Sequence, residues 1–527
     1  MYLEVPEKDE EIHPRYLHQE LTRPLMTITI ILTFGSSFQY GYNLWVVNHP
    51  AALIQDYYNN TFRMKKKEIP QLIGLNFLYT LTSVIYSLGG LIGSLMVCPM
   101  ADTCGRKGTL VIANLLAFIS AIFMGFSTIV HMYEYGIFSR LLSGVCSGIF
   151  SCAVPLYLAE IAPRNLRGGI MTMGMVAVTV GVLISQILGL PEFLGSERKW
   201  AILLSLTGVL AVFQLFLLPK FPESPRFLLI QRKNEEKARQ VLKVLRAKED
   251  VEEDIEELHQ EDIAELEEKE MSVLNRLTCK GLRRQIICVV LLMAGQQFTG
   301  INAVYYYAET IYRTVWLNWR KPRYISIMSS IFVLLTLLFV TYSIDSLGRR
   351  LLILVGLGIC STFCVLLTIS QELQVAISWL SYVTSILMVI FLLGHIVGPG
   401  PIPNVIIAEM FLQSSRSTGV VLGGFVHWFL NFITGIMFLQ FGRKIGSYSF
   451  LMFWPLCIAS FVFIFRNIPE TKQKNFLQIR NLLALQALKR INVQESQGKS
   501  DQIRQLDGGR RKKPRATTST VPSVPSI

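Results

Sequence analysis

Apolar stretches recur along the chain near 25–48, 73–98, 108–128, 132–158, 168–190, 200–219, 285–308, 324–344, 351–371, 378–409, 417–440 and 447–466. Runs of about 20 residues are long enough to cross a hydrocarbon core of about 30 Å as helices. Of the 527 residues 51% are hydrophobic and only 17% charged, against about a quarter charged in a soluble protein. The sequence therefore predicts an all-α membrane protein of about twelve transmembrane helices. The lipid bilayer is its first partner, and it is expected to work as a monomer.

The net charge of +13 does not point to nucleic acid, because the basic residues cluster in short loops and in the tail, where charge facing the cytoplasm belongs. The first 24 residues are polar and acidic, without the pattern of a cleavable signal. Nine cysteines are scattered, mostly within apolar runs and without metal-ligand spacing, and read as small core residues. No metal or other cofactor is expected, and no nucleophile–base pair or nucleotide loop indicates an enzyme.

Internal repetition sets the architecture. Asp102-Thr-Cys-Gly-Arg106-Lys107 is echoed by Asp345-Ser-Leu-Gly-Arg349-Arg350, with the glycines 243 residues apart. Glu160 with Arg167 is echoed by Glu409 with Arg416 at an offset of 249, and Pro222-Glu-Ser-Pro-Arg226 by Pro469-Glu-Thr-Lys472 at 247. Three motifs in one order at nearly one offset predict two homologous six-helix halves. The expected divisions are a cytoplasmic segment 1–24, a bundle 25–219, a linker 220–284, a bundle 285–466 and a largely disordered tail 467–527. In the linker, Leu242, Leu245, Ile255, Leu258 and Ile263 fall at helical spacings, so amphipathic helices against the cytoplasmic face are expected.

Asn59-Asn60-Thr61 is a glycosylation sequon. If it is used, the first loop is outside, and both termini, the linker and the repeated motifs are cytoplasmic. Lys65-Lys66-Lys67 and Arg320-Lys321 run against the positive-inside tendency. The repeated charges suggest a gate: Asp102, Arg106, Glu160 and Arg167, with Asp345, Arg349, Glu409 and Arg416, form ion pairs that hold one side shut in one state and separate in the other. Arg140 either joins this network or snorkels.

The stretch 295–307, GQQFTGINAVYYY, puts amides inside an apolar span. Gln297 and Asn302 diverge by about 140° on one unbroken helix, so an interruption between Gly295 and Gly300 is expected. Gly398-Pro-Gly-Pro-Ile-Pro403 likewise cannot sustain a regular helix in span ten. These two breaks make the C-terminal half the expected ligand-recognising side. Gln39, Tyr40 and Asn43 in span one, Gln186 in span five, His395 and Asn404 in span ten, and His427, Trp428 and Asn431 in span eleven complete a polar, aromatic set. Such a set suits an uncharged polyhydroxylated solute. No carboxylate lies in mid-span on spans one, seven, eight or eleven, which argues against proton coupling.

Together, Phe38-Gln-Tyr-Gly-Tyr-Asn43, the two Gly-Arg loops, the two Pro-Glu motifs, Gln296-Gln297…Ile301-Asn302-Ala303 and Gly398–Pro403 resemble the sugar-porter branch of the major facilitator superfamily. The resemblance covers about 20–475 and is specific to the facilitative hexose transporters. Asn404, where glucose-preferring members carry a tryptophan, together with Gly394-His395 and His427-Trp428, is similar to the branch containing the fructose transporter. The resemblance implies passive, alternating-access transport of a hexose, most of all fructose. It also implies substrate contacts from Tyr40, Gln186, Gln296, Gln297, Asn302, His427, Trp428 and Asn431. Val333 falls where the family's span-eight asparagine usually stands. The alternatives are a carrier for glucose or urate, or a sugar sensor with little transport.

Overall fold

The structure, a computed structural model, describes residues 20–64, 72–264, 273–279, 281–302, 304, 321–374, 376–377, 379–445, 448, 450–474 and 478–485. No strand occurs among them. Eight of the described helices are long and apolar enough to cross a membrane on length and composition alone. Several of the expected spans are interrupted, merged or short. Span one runs through Arg23–Leu32, a π turn Thr33–Ser37 and Phe38–Trp45. Spans two and three form one ribbon, Leu72–Ile129, broken at Gly105. Span six is split into Trp200–Ser205 and Thr207–Leu217, and span twelve is Trp454–Asn467.

Spans four and five are Tyr133–Ile161 and Arg167–Leu188; spans eight, nine and eleven are Lys321–Leu347, Arg349–Leu373 and Gln413–Ile445. Outward faces stay apolar, with Phe216 76% and Phe339 65% exposed, as lipid contact requires. Inward, small residues set the spacing. Gly89 and Gly93 of span two face Gly144 and Gly148 of span four: a Cβ on Gly144 would lie 2.2 Å from Tyr86 O, and one on Gly148 2.2 Å from Gly90 O. Paired small-xxx-small stripes bring two helix backbones together where lipid offers no hydrophobic drive. Between the two sets of helices, span two packs on span eleven and span five on span eight.

Two breaks shape the interior. Span seven, Arg283–Gln297, ends at Phe298, and Gly300 turns the chain with φ +86°. Gly295 remains within the helix, so the interruption falls at the later of the two glycines. Tyr305, Tyr306 and Tyr307 lie outside the described residues. Span ten stops at Val397, turns through Gly398–Pro401 and resumes as Ile402–Met410, since prolines at 399, 401 and 403 supply no amide donors.

The linker forms a small body of its own. Glu235–Arg246, capped by Asn234 through Lys237 N, and Glu252–Ala264 enclose Leu229, Ile230, Ala238, Leu242, Val251, Ile255 and Leu258. Ile263, expected on this face, is 68% exposed; the buried positions 255, 258 and 261 put residue 263 on the opposite side of the helix. Thr22 Oγ1 donates to Leu245 O, so span one starts at the linker face. By contacts the chain divides at Ile479, and the described residues beyond it, 480–485, are helical.

Candidate functional site

A central cavity lies between the two sets of helices. Its polar lining is lopsided. Spans seven, ten and eleven contribute Gln296, Gln297, Asn302, His395, Asn404, His427 and Asn431; spans one and four contribute Ser37, Tyr40 and Ser151. None of the described lining residues is Asp, Glu, Lys or Arg.

The two helix breaks make this convergence possible. Gln296 Nε2 donates to the carbonyl of Gly400 at 2.7 Å, capturing an oxygen that the broken tenth span leaves without a helical partner. Asn302 Nδ2 donates to Gln297 Oε1 at 2.7 Å and to Thr434 Oγ1 at 2.9 Å. His427 Nδ1 lies 2.7 Å from Gln297 Nε2 and 2.9 Å from Gln296 Oε1. His395 Nδ1 sits 3.0 Å from Thr299 Oγ1. Each side chain is thus held by another, and the amide groups are preorganised around the space.

The network crosses between the halves. Tyr40 OH lies 3.4 Å from His427 Nε2, and Ser87 Oγ donates to Asn431 Oδ1 at 2.9 Å. Trp428 Nε1 donates to Ser151 Oγ at 3.0 Å, and the fully buried indole lies between Tyr40, tilted by 57°, and Tyr86, which it meets edge-on. Trp428 is absent from the described cavity lining; a Cβ on Gly90 would lie 2.3 Å from its ring, so it is a packing element of the seam.

Gln186 is displaced further. It lines a second cavity and donates to Ser326 Oγ at 3.2 Å. Span five presents Met171, Gly174, Met175 and Val178 to the central cavity instead, a thioether and an alkyl surface where an amide was expected. Val333 also faces the second cavity. Arg140 is in neither described cavity lining. Both its terminal nitrogens donate to Asn43 O at 3.2 Å, and its guanidinium lies 4.5 Å from the Tyr86 ring.

At the linker face the repeated motifs become one module built twice. The backbone N–H groups of Arg106 and Lys107 donate to the Glu223 carboxylate, and those of Arg349 and Arg350 to Glu470. Gly105 and Gly348 take φ +78° and +92°, with the carboxylates 2.5 and 2.7 Å from where a Cβ would be. Arg106 pairs with Glu160 at 2.9 Å, and Arg349 with Glu409 at 3.1 Å and Asp345 at 2.9 Å. These ion pairs therefore lie within each half rather than between halves.

The crossing contacts are different ones. Gly168 and Gly169 of span five donate backbone N–H to Asp345 at 3.1 and 2.8 Å. Gln413 Nε2 donates to Glu160 at 2.9 Å. Glu261 of the linker pairs with Arg226 and with Arg416, the latter at 2.9 Å, and accepts from Gln413 N at 3.0 Å. Asp102 faces Arg106 and Arg276, with Oδ2 3.9 Å from Cys98 Sγ. Arg167 is buried in a pocket with Arg164, Arg226 and Glu257. Burial alone would raise the Glu257 carboxyl, but Arg226, Arg164 and Arg167 outweigh it and hold the group at about 2.

Sequence reasoning missed Glu261 and Gln413. A signal for Glu261 existed, since it shares the buried helical phase of Ile255 and Leu258; Gln413 has none. The sequon residue Asn59 lies in the helix Ala51–Met64, half-buried with Oδ1 enclosed, and Thr61 is 2% exposed and donates to Tyr57 O.

Comparison with known proteins follows the geometry. Solute carrier family 2, facilitated glucose transporter member 5 of Rattus norvegicus is 43% identical over 88% of this chain and 93% of its own. Facilitated glucose transporter member 7 of Homo sapiens is 42% identical over 87% and 90%. The structure of the major facilitator superfamily proton:xylose symporter XylE bound to 6-bromo-6-deoxy-D-glucose superposes with a TM-score of 0.77 at 20% identity, over 88% of this chain and all of that one, which establishes the major facilitator fold. The family model described as sugar (and other) transporter matches residues 28–483, and with this span covered the chain belongs to the sugar (and other) transporter family.

Proposed function

We propose that the protein is a passive carrier of a hexose across the plasma membrane, working by alternating access, with fructose its first substrate. The carrying observation is the closed, amide-lined central cavity, held by cross-half contacts on one side and by the Asp345, Glu160 and Glu261 contacts on the other. Neutral amides and hydroxyls match a sugar's alternating donors and acceptors, and an uncharged lining suits a solute that brings no charge. Tyr40, Gln296, Gln297, Asn302, His395, Asn404, His427 and Asn431 are the proposed substrate contacts.

The gate is the linker-face set. Arg106–Glu160 and Arg349–Glu409 brace each half, while Asp345, Gln413 and Arg416 join the halves and separate when that side opens. Linker and termini are cytoplasmic in this reading, the active unit is a monomer, and Asn59 carries a glycan only if its amide turns outward from the helix. A mobility shift after endoglycosidase treatment tests that last point.

Glucose is the competing substrate, favoured by the names of the relatives; urate is disfavoured by the lack of a cation in the described central lining. The test is uptake of labelled fructose by proteoliposomes without an ion gradient, against excess fructose, glucose or urate. Saturable uptake that fructose competes and that stops at equal concentrations is expected. Concentrative uptake driven by a proton gradient would refute the passive mechanism, and selective competition by glucose would reassign the substrate.

A further inference from the structure

The second cavity has no part in the mechanism above. It lies between spans five and eight, lined by Val182, Gln186, Ser330 and Val333, with Leu392 and Ile396 of span ten behind them. Three residues, Met175, Val178 and Ile301, line both this cavity and the central one. The partition between the two is thus wholly apolar and includes one thioether, the most adaptable of hydrophobic side chains. Two of the serines beyond it are engaged. Ser329 gives its hydroxyl hydrogen to Ile325 O at 2.8 Å, and Ser326 accepts from Gln186. Gln186 is 1% exposed, and its Oε1 has no hydrogen-bond partner. A buried acceptor left unpaired is costly, and here it borders a space that a ligand can enter.

We propose that the two cavities form one bipartite site, which takes a hexose carrying a short apolar substituent. The sugar occupies the amide cavity, and the substituent passes the Met175 partition to lie between spans five and eight. This rests on the hexose reading but concerns a ligand class that reading does not require. The chain-specific cause is the pair Met175 and Val333: two apolar side chains stand on the shared wall and beyond it, so nothing polar closes the sugar cavity on that side.

The test uses purified full-length protein, both in proteoliposomes and in solution by titration calorimetry. The probes are mono-O-methyl and mono-O-butyl fructoses, substituted at each hydroxyl in turn. For one position the butyl ether is expected to bind and inhibit fructose uptake about tenfold or more better than the methyl ether, from three further buried methylenes. Val182→Phe fills the side cavity, and is expected to abolish that advantage while leaving fructose uptake and methyl-ether affinity unchanged. Butyl ethers no better than methyl at every position would overturn the proposal, as would an advantage that survives Val182→Phe, the mark of partition into lipid or detergent. Normal fructose uptake with no chain-length effect refutes the bipartite site alone. Absence of any hexose uptake refutes the carrier reading, and the calorimetric butyl-to-methyl ratio and its response to Val182→Phe then still decide the cavity.

Discussion

Replacing Glu261 by glutamine tests whether the linker is part of the gate. The carboxylate receives Arg226, Arg416 and the Gln413 backbone N–H, and the side chains of Glu261, Arg226 and Arg416 are only 3%, 7% and 0% exposed. Glu261→Gln keeps the shape and takes one carboxylate charge away from buried Arg416 and Arg226, the latter still facing Glu257 at 3.5 Å. Breaking a buried ion pair by neutralising one partner costs about 3–5 kcal/mol. If the contact exists only while the linker face is shut, all of that cost falls on the shut state. Even the lower figure then moves the shut-to-open ratio by a factor on the order of 10². Cysteines already in the seam report the change: Cys98 Sγ is 3.7 Å from Ser417 Oγ, and Cys152 Sγ is 3.9 Å from Val420 O. In a background with exposed Cys104 and half-exposed Cys279 changed to serine, alkylation of Cys98 and Cys152 by a polar maleimide is expected to accelerate in Glu261→Gln. Uptake should slow, because the shut state is part of every cycle. Unchanged alkylation rates in a folded variant would refute the latch and reduce the Glu261 contacts to surface anchoring.

Gln296→Leu leaves the Gly400 carbonyl without its side-chain donor, and with roughly 1–3 kcal/mol lost per unsatisfied buried group the uptake KM should rise about tenfold with a lower Tm; an unchanged KM would remove Gln296 from the site. Asn404→Ala should weaken fructose transport more than Val333→Ala, since only Asn404 lines the central cavity; equal effects would contradict this. Gly348→Ala places a Cβ at φ +92° and 2.7 Å from the Glu470 carboxylate, and a loss of about 1–3 kcal/mol should appear as a lower melting temperature, whereas an unshifted one would count against the module. The Glu257 carboxyl, held at about 2 against an ordinary 4.5, stabilises linker docking fully above pH 4.5 and loses that contribution as pH falls toward 2. A spin label at exposed Gln260 should therefore gain mobility on acidification in that window and not above it.

Much of the fold is legible in the chain because lipid imposes simple rules. Span length and apolarity identify the helices, proline and glycine place the breaks of spans seven and ten, and the near-constant offset of three motifs announces two copies of one module. The module also explains the offset, for Gly105, Glu160 and Glu223 meet at one point, as do Gly348, Glu409 and Glu470. The candidate site was legible to the extent that polar residues in apolar spans must face inward, which captured Gln296, Gln297, Asn302, His427 and Asn431.

What the tertiary structure decided was which inward-facing residues share a space. Gln186 and Trp428 look equivalent to the amides of span seven in the sequence, yet helix phase and the near approach of Gly90 send one to a side cavity and the other into the seam. Periodicity fixes the face of a helix, not the neighbour it meets. The same limit hid the true cross-half contacts. The arginine–glutamate repeats proved to brace each half internally, while Glu261, some 150 residues from its partners Gln413 and Arg416, closes the seam. Contacts between elements so far apart depend on how whole bundles pack, and no local pattern in the sequence records them.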